Sequence, residues 1–201
     1  IVEAGHLLFA HVASRSDDEL DLAAAALLIA EAEYPGLDLA HYLSMLDAMA
    51  DAARARASVS AGESGLLSRL NQHLFDELGF RGNEADYYDP KNSFLNEVMD
   101  RRVGIPISLS VVYLEVGRRL GLELEGISFP GHFLVRHVTG GTFVLLDPYH
   151  AGASLDRGEL EERLLGTLGE KTELSAVHLQ VASKRQILTR MLNNLRGIYR
   201  R

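Results

Sequence analysis

Two polar residues near the middle of the chain, His132 and Asp147, have types and spacing that suit catalysis. They lie at the far ends of two apolar segments that Thr139-Gly140-Gly141 joins into a predicted hairpin. A four-residue loop would place the pair directly opposite, whereas a two-residue Gly140-Gly141 turn would make them diagonal neighbours. In either register their Cβ atoms lie about 4.5–8 Å apart. A carboxylate at this distance orients an imidazole and raises its pKa, as in a catalytic His–Asp pair.

Strand alternation indicates which side chains share a face with His132. Arg136 points the same way as His132, and Asp147 lies beside them on the partner strand. His137 falls on the opposite face, so the two histidines are not expected to share a metal ion. We predict no metal and no other cofactor. A purely structural His132–Asp147 hydrogen bond at the sheet margin is the alternative to a catalytic pair.

The elements that must position this hairpin predict an α+β fold, with helices before and after a small antiparallel sheet. Apolar residues recur at helical spacing before position 81, and a Ser16 capping box and Asp38 are predicted helix starts. The segment Pro106–Leu120 is apolar on most of its surface, which predicts a buried central helix that Gly121 ends. Further predictions are loops at 58–64 and 81–92, a short helix capped by Asn92 or Ser93, strands at 122–129, 132–138, 142–147 and 176–181, and helices at 155–168 and after Ser183.

Composition excludes several classes of protein. The chain has 201 residues, a formal net charge of −8 and no cysteine. The absence of cysteine rules out disulfides, thiolate metal sites and a cysteine nucleophile. The acidic balance argues against nucleic-acid partners, and no apolar run approaches the roughly 18–20 residues of a membrane span. Without a visible signal peptide, the sequence predicts a cytoplasmic protein.

Four linked motifs resemble the SirB-type family, bacterial proteins with a transglutaminase-like domain that tetratricopeptide repeats often follow. The resemblance covers about residues 1 to 200. The motifs are Tyr87-Tyr88-Asp89-Pro90-Lys91-Asn92-Ser93-Phe94-Leu95-Asn96, Gly104-Ile105-Pro106-Ile107-Ser108-Leu109-Ser110, Phe129-Pro130-Gly131-His132-Phe133-Leu134-Val135-Arg136 and Leu146-Asp147-Pro148.

The resemblance implies a transglutaminase-like, papain-like fold with its site on the central helix and the following strands. It divides the chain into a helical N-terminal region (1–80), a transglutaminase-like core (81–182) and a C-terminal helix (183–201). In active members of that superfamily a Cys begins the buried helix, and His and Asp follow on strands. His132 and Asp147 match the latter two, whereas Pro106 takes the nucleophile position.

Two serines of the central helix are candidate substitutes for the missing nucleophile. Ser110 lies about 40° around the helix from Pro106 but one turn deeper, and Ser108 lies about 200° around. The alternative is that both hydroxyls bond to backbone within a buried helix.

The leading hypothesis is a noncatalytic transglutaminase-like domain that binds a peptide or protein partner through a degenerate active-site cleft. Tyr87, Asn92, Asn96 and Arg136 are the predicted cleft residues. One rival is an amide or ester hydrolase that uses Ser110 or Ser108 with His132 and Asp147. The other rival is a structural scaffold domain.

Overall fold

A computed structural model describes residues 2–57, 62–169 and 172–201 of the chain and confirms the α+β class. Helices form most of the first half, and a four-stranded antiparallel sheet follows them. The α-helices are α1 (Val2–Ala13), α2 (Leu22–Glu31), α3 (Leu39–Ala55), α4 (Gly62–Asn71), α5 (Leu95–Arg101), α6 (Pro106–Leu120), α7 (Arg157–Leu168) and α8 (Lys184–Ile198). The strands are β1 (Arg81–Gly82), β2 (Val103–Gly104), β3 (Leu124–Ile127), β4 (Leu134–Thr139), β5 (Thr142–Asp147) and β6 (Ala153–Leu155).

Local capping explains where the N-terminal helices begin. Asp38 caps α3 as predicted, since its carboxylate accepts from the amide of His41 at 3.0 Å. The predicted Ser16 start is wrong, because Asp21 caps α2 and accepts from the amide of Ala24 at 2.9 Å. Residues 62–64, predicted as loop, form the first turn of α4, and the rest of that predicted loop (58–61) lies outside the described residues.

The central helix has the predicted bounds, Pro106–Leu120. Proline fits its first position because that residue needs no amide donor, and Gly121 ends it with a φ of 85°. Almost all of its side chains are buried. The shorter α5 before it has Phe94 as its N-cap, one or two residues later than the predicted Asn92 or Ser93, because Asn92 ends a 3₁₀ turn.

The strands of the main sheet follow one another in the order β3-β4-β5-β6, and β1 pairs with β2 in a separate parallel ladder. β5 matches its prediction, whereas β3 and β4 are shorter than predicted and β6 was not expected. The predicted strand at 176–181 is wrong: Ala176–Leu179 is a 3₁₀ turn, and only Val181 bridges to Ile127. The helix predicted from Leu155 begins at Arg157, since Leu155 belongs to β6.

The hairpin of β4 and β5 uses the two-residue turn. Thr139 pairs with Thr142, and Gly140 and Gly141 have φ values of 56° and 78° between them. Both values lie in the left-handed region that this type of turn requires and that glycine adopts without steric cost. Of the two registers that the sequence allowed, this one makes His132 and Asp147 diagonal neighbours.

Each face of the main sheet packs against a different helix. Val135 and Leu146 face the large core that contains α6, whereas Leu134 and Leu145 face a second cluster with Leu164 of α7. The large core draws residues from all three predicted segments, and their boundaries at 80 and 182 stay a prediction. Among the described residues no helix has the length and apolar character of a membrane span.

Candidate active site at the end of strand β5

Asp147, the last residue of β5, has a fully buried side chain that accepts hydrogen bonds from several segments of the chain. Its Oδ1 lies 2.9 Å from His132 Nε2 and 3.0 Å from the amide of Tyr149. Its Oδ2 lies 2.7 Å from His150 Nδ1 and 2.7 Å from Arg163 Nη1. The predicted His132–Asp147 contact is confirmed, and two further side chains share the carboxylate.

Two opposing effects act on the pKa of the Asp147 carboxyl. Burial by itself would raise this pKa, because the carboxylate loses its water. The hydrogen bond and charge of His132, together with hydrogen bonds from His150 and Arg163, outweigh burial and hold the pKa well below its usual range. Asp147 is therefore an ionised acceptor at neutral pH.

His132 lies in the loop between β3 and β4, and its ring orientation follows from Asp147. An ionised carboxylate only accepts hydrogen bonds, so the Nε2 that faces it carries a proton. Nδ1 makes no hydrogen bond to a described residue and keeps a lone pair when the ring is neutral. Tyr149 packs edge-on against the ring at a centroid distance of 5.9 Å. This orientation is the one that a catalytic base needs.

A cleft of about 230 Å³ adjoins His132. Pro106 and Ile107 at the start of α6 form one wall, and side chains from α8 form another. The lining residues are Tyr87, Pro106, Ile107, Gly131, His132, Phe133, Arg190 and Asn194. The structure therefore brings Pro106 to the cleft beside His132, where the family resemblance places the nucleophile. Among the described residues, the lining contains no serine or threonine and no acidic side chain.

Neither candidate serine reaches this cleft. Ser108 is fully buried, and its Oγ donates to the carbonyl of Asn92 at 2.6 Å and accepts from the amide of Ile105 at 3.1 Å. Ser110 is also fully buried, and its Oγ has no hydrogen-bond partner among the described residues. The structure therefore makes Ser108 a helix cap and leaves Ser110 inside the core.

Of the four predicted cleft residues, only Tyr87 lines the cleft. Asn92 is fully buried and donates to the carbonyl of Asp86 at 2.7 Å, so that it fixes the polar loop. Asn96 is also buried, at 4% exposure. Arg136 lies further along β4, where it pairs with Glu125 and stacks on Phe143 at 5.5 Å. Asn92, Asn96 and Arg136 thus lie outside the cleft lining.

Sequence reasoning missed Arg190 and Asn194 of α8, although a signal was present. Both are polar residues one turn apart on the helix face that also carries the buried Ile187 and Met191. Arg163 and His150, which complete the Asp147 contacts, were also missed.

The donor atoms around Asp147 raise the question of a metal. The ligand atoms of His132, Asp147 and His150 all lie within 4.8 Å of one another, and zinc takes these donors. However, Arg163 donates to the same carboxylate oxygen as His150, so a bound cation would lie beside a guanidinium charge. The residues therefore fit a hydrogen-bonded cluster better than a metal site.

Comparison with known families adds an independent observation to this geometry. A family model described as the transglutaminase-like superfamily matches residues 40–193. The chain belongs to the transglutaminase-like superfamily. The matched part includes His132, Asp147 and the cleft lining from Tyr87 to Arg190, and Asn194 lies one residue beyond it.

Relatives of this transglutaminase-like domain occur in bacteria and in mammals. A UPF0162 protein of Xylella fastidiosa is 40% identical over 195 residues, which cover 96% of this chain and 69% of the relative. A UPF0162 protein of Pseudomonas aeruginosa is 38% identical over 179 residues, which cover 87% and 63%. F-box only protein 21 of Mus musculus is 35% identical over 147 residues, which cover 69% of this chain but 22% of the relative. No solved structure matches the chain.

Proposed function

We propose that this transglutaminase-like domain is a noncatalytic module that binds an extended peptide segment of a partner protein beside His132. The observation that carries this proposal is the missing nucleophile at an otherwise oriented His–Asp pair. Pro106 forms the wall next to His132, and Ser108 and Ser110 are fully buried. No cysteine exists in the chain. Acyl transfer through a covalent intermediate needs a nucleophile within reach of the base, and among the described residues the cleft offers none.

The surface next to the cleft favours an elongated ligand. A second groove, of about 310 Å³, shares Tyr87 and Asn194 with the cleft and continues along α8 to Arg201. Tyr87 and Tyr88 line it with 38% and 50% of their surfaces exposed. Tyrosines with exposed rings supply large contact areas at a small entropic cost. Cleft and groove together suit a chain of several residues rather than one small molecule.

The motifs described above extend this proposal to the SirB type, with the tetratricopeptide repeats that often follow such domains and a cytoplasmic location. The first two parts of the proposal rest on the sequence resemblance, and the location rests on the sequence, in which no signal peptide is visible.

Peptide binding is tested by selecting random seven-residue peptides on the wild-type domain and measuring their affinity by fluorescence anisotropy. Tyr88→Ala should weaken binding about tenfold, because it removes a ring from the groove. Phe143→Ala is the matched control, since Phe143 is also 50% exposed but lies on the sheet away from the groove, and it should change the affinity less than twofold. A selection that yields no binder, or equal losses in both variants, would contradict the proposal and favour a scaffold.

A further inference from the structure

Arg190 of α8 carries a positive charge that no acidic side chain of the described residues neutralises. Its Nη1 donates to Ser128 Oγ at 2.7 Å, and its Nη2 donates to the carbonyl of His132 at 2.8 Å and more weakly to that of Phe129. These acceptors are neutral, and no described carboxylate forms an ion pair with the guanidinium. Burial lowers the pKa of Arg190, and the nearby Tyr87 partly opposes this effect. A half-buried cation without a counter-ion is energetically costly unless a ligand supplies one.

The surroundings of Arg190 add further positive character. No described residue with an acidic side chain lines the cleft, although the whole chain carries a net charge of −8. The N-terminus of the 15-residue helix α6 reaches the cleft through Pro106 and Ile107, and its dipole favours an anion there. The side chain of Asn194 makes no hydrogen bond to a described residue, so its amide group is available to a ligand.

The charge present indicates what kind of anion the cleft suits. His132 is held by Asp147, whose carboxylate is already bonded to Arg163 and His150. Because Asp147 and Arg163 balance each other, the uncompensated charge beside a neutral His132 is that of one guanidinium with the partial charge of one helix end. This arrangement matches a singly charged group such as a carboxylate better than a doubly charged phosphate.

We infer that the cleft binds a carboxylate of the peptide ligand, with Arg190 as its counter-ion and Asn194 as a hydrogen-bond donor. The inference rests on the proposed function and names the feature that the peptide must carry. At about 230 Å³ the cleft is smaller than the roughly 300–1,000 Å³ of typical ligand pockets, so it suits one acidic residue or one chain end. The adjoining groove then holds the neighbouring residues.

The test uses the isotope-labelled domain and three acetylated tetrapeptide pools, with binding followed by the NMR signals of arginine Nε–H and asparagine amides. The first pool contains only uncharged residues and ends in a free carboxylate. The second has the same residues but an amidated end. The third is amidated and contains one Asp or Glu. We expect the first pool, the third pool or both to shift the Arg190 and Asn194 signals, and the second to bind at least tenfold more weakly.

The source of the carboxylate follows from the pools: binding of the first alone indicates a chain end, and binding of the third alone indicates an acidic side chain. Equal binding of all three overturns the carboxylate inference but leaves peptide binding intact, whereas no binding at all overturns both. Inorganic phosphate is a fourth probe. If it binds more tightly than both the first and the third pool, which carry a carboxylate, the inference is also overturned.

Variants separate the charge of Arg190 from its bonds to the loop. Arg190→Gln should weaken carboxylate binding about tenfold, whereas Arg190→Lys, which keeps the charge, should retain most of it. Arg136→Gln is the matched control, because Arg136 is a partly buried arginine outside the cleft, and it should have no effect. If Arg190→Gln does not fold, the affinity of the wild-type domain is measured at increasing salt concentration. It should fall, because salt screens the charge of Arg190. An affinity that does not depend on salt would overturn the inference.

Discussion

Pro106 and His132 line the same cleft, although one begins the buried helix α6 and the other precedes strand β4. His132 Nε2 is bonded to Asp147, and its Nδ1 is free of bonds to described residues. The histidine and the carboxylate that orients it therefore lie beside position 106.

A cysteine at position 106 should consequently be reactive. The thiol of Pro106→Cys would lie at a helix N-terminus beside His132, and both features lower the pKa of a thiol. Since the chain has no other cysteine, alkylation by iodoacetamide at pH 7 reports on this position alone. We expect a rate at least about tenfold above that of Gly166→Cys, an exposed position on α7. The excess should disappear when His132→Ala is added, and equal rates for the two single variants would contradict the assembled site.

Asp147 should control the stability of the domain in acid. Its native pKa is held below the value of about 3.9 in an unfolded chain. The carboxylate therefore contributes stability above pH 4, and this contribution is lost as the pH falls towards the native pKa. Asp147→Asn should lower the free energy of unfolding at pH 7 by about 3 kcal/mol, because His132, His150 and Arg163 lose their shared anion.

Urea denaturation between pH 3 and pH 7 measures this effect. The variant should lose less stability than the wild type on acidification. Asp51→Asn is the control, since the Asp51 side chain is 75% exposed, and its curve should follow the wild type. An unchanged acid slope in Asp147→Asn would show that other groups cause the acid sensitivity.

Substitutions of the two serines of α6 should differ in their effect on the free energy of unfolding, and neither serine should react as a nucleophile. Ser108→Ala removes the hydroxyl that bonds to Asn92 and Ile105 in the core, and should cost about 1–3 kcal/mol. Ser110→Ala removes a buried hydroxyl without a partner among the described residues, and should change the free energy of unfolding by less than about 1 kcal/mol. A fluorophosphonate probe should label neither serine. Labelling that depends on His132 would instead support the serine hydrolase hypothesis.

Gly82 should be intolerant of any side chain, because Tyr149 packs directly on its backbone. A Cβ at Gly82 would lie 2.5 Å from the Tyr149 ring, which also packs against His132. Gly82→Ala should therefore cost about 1–3 kcal/mol and shift the His132 ring signals. Gly166→Ala is the counterpart: no atom lies within 4 Å of its Cβ position on α7, and alanine there should stabilise the helix by about 0.5–1 kcal/mol. Thermal unfolding and histidine NMR signals measure both effects, and similar outcomes for the two variants would count against the packing argument.

The parts of the site that were predictable from sequence depend on local signals. Gly140 and Gly141 fix the hairpin turn, and proline and glycine bound α6, so the positions of His132 and Asp147 follow from neighbouring residues. The false strand at 176–181 shows the opposite case: its apolar residues alternate, but only Val181 finds a partner strand. An alternating pattern predicts a strand only where the fold supplies an edge to pair with.

The contacts that complete the site were not predictable, because they join distant segments. Arg163 reaches Asp147 only because α7 covers the second face of the sheet. Arg190 reaches the carbonyl of His132 from a helix 58 residues further along the chain. Neither pairing leaves a periodic trace in the sequence, although the polar residues on the buried side of α8 mark that helix as more than a packing element.

Helix α8 is fastened at both its beginning and its middle to parts of the chain that are far apart in sequence. Lys184 donates from its Nζ to the carbonyl of Leu20 at 2.9 Å, before α2, and Arg190 donates to that of His132 at 2.8 Å. The helix therefore connects the N-terminal helices to the loop that carries His132. A displacement of α8 would therefore move the backbone of His132, the residue whose imidazole Asp147 orients.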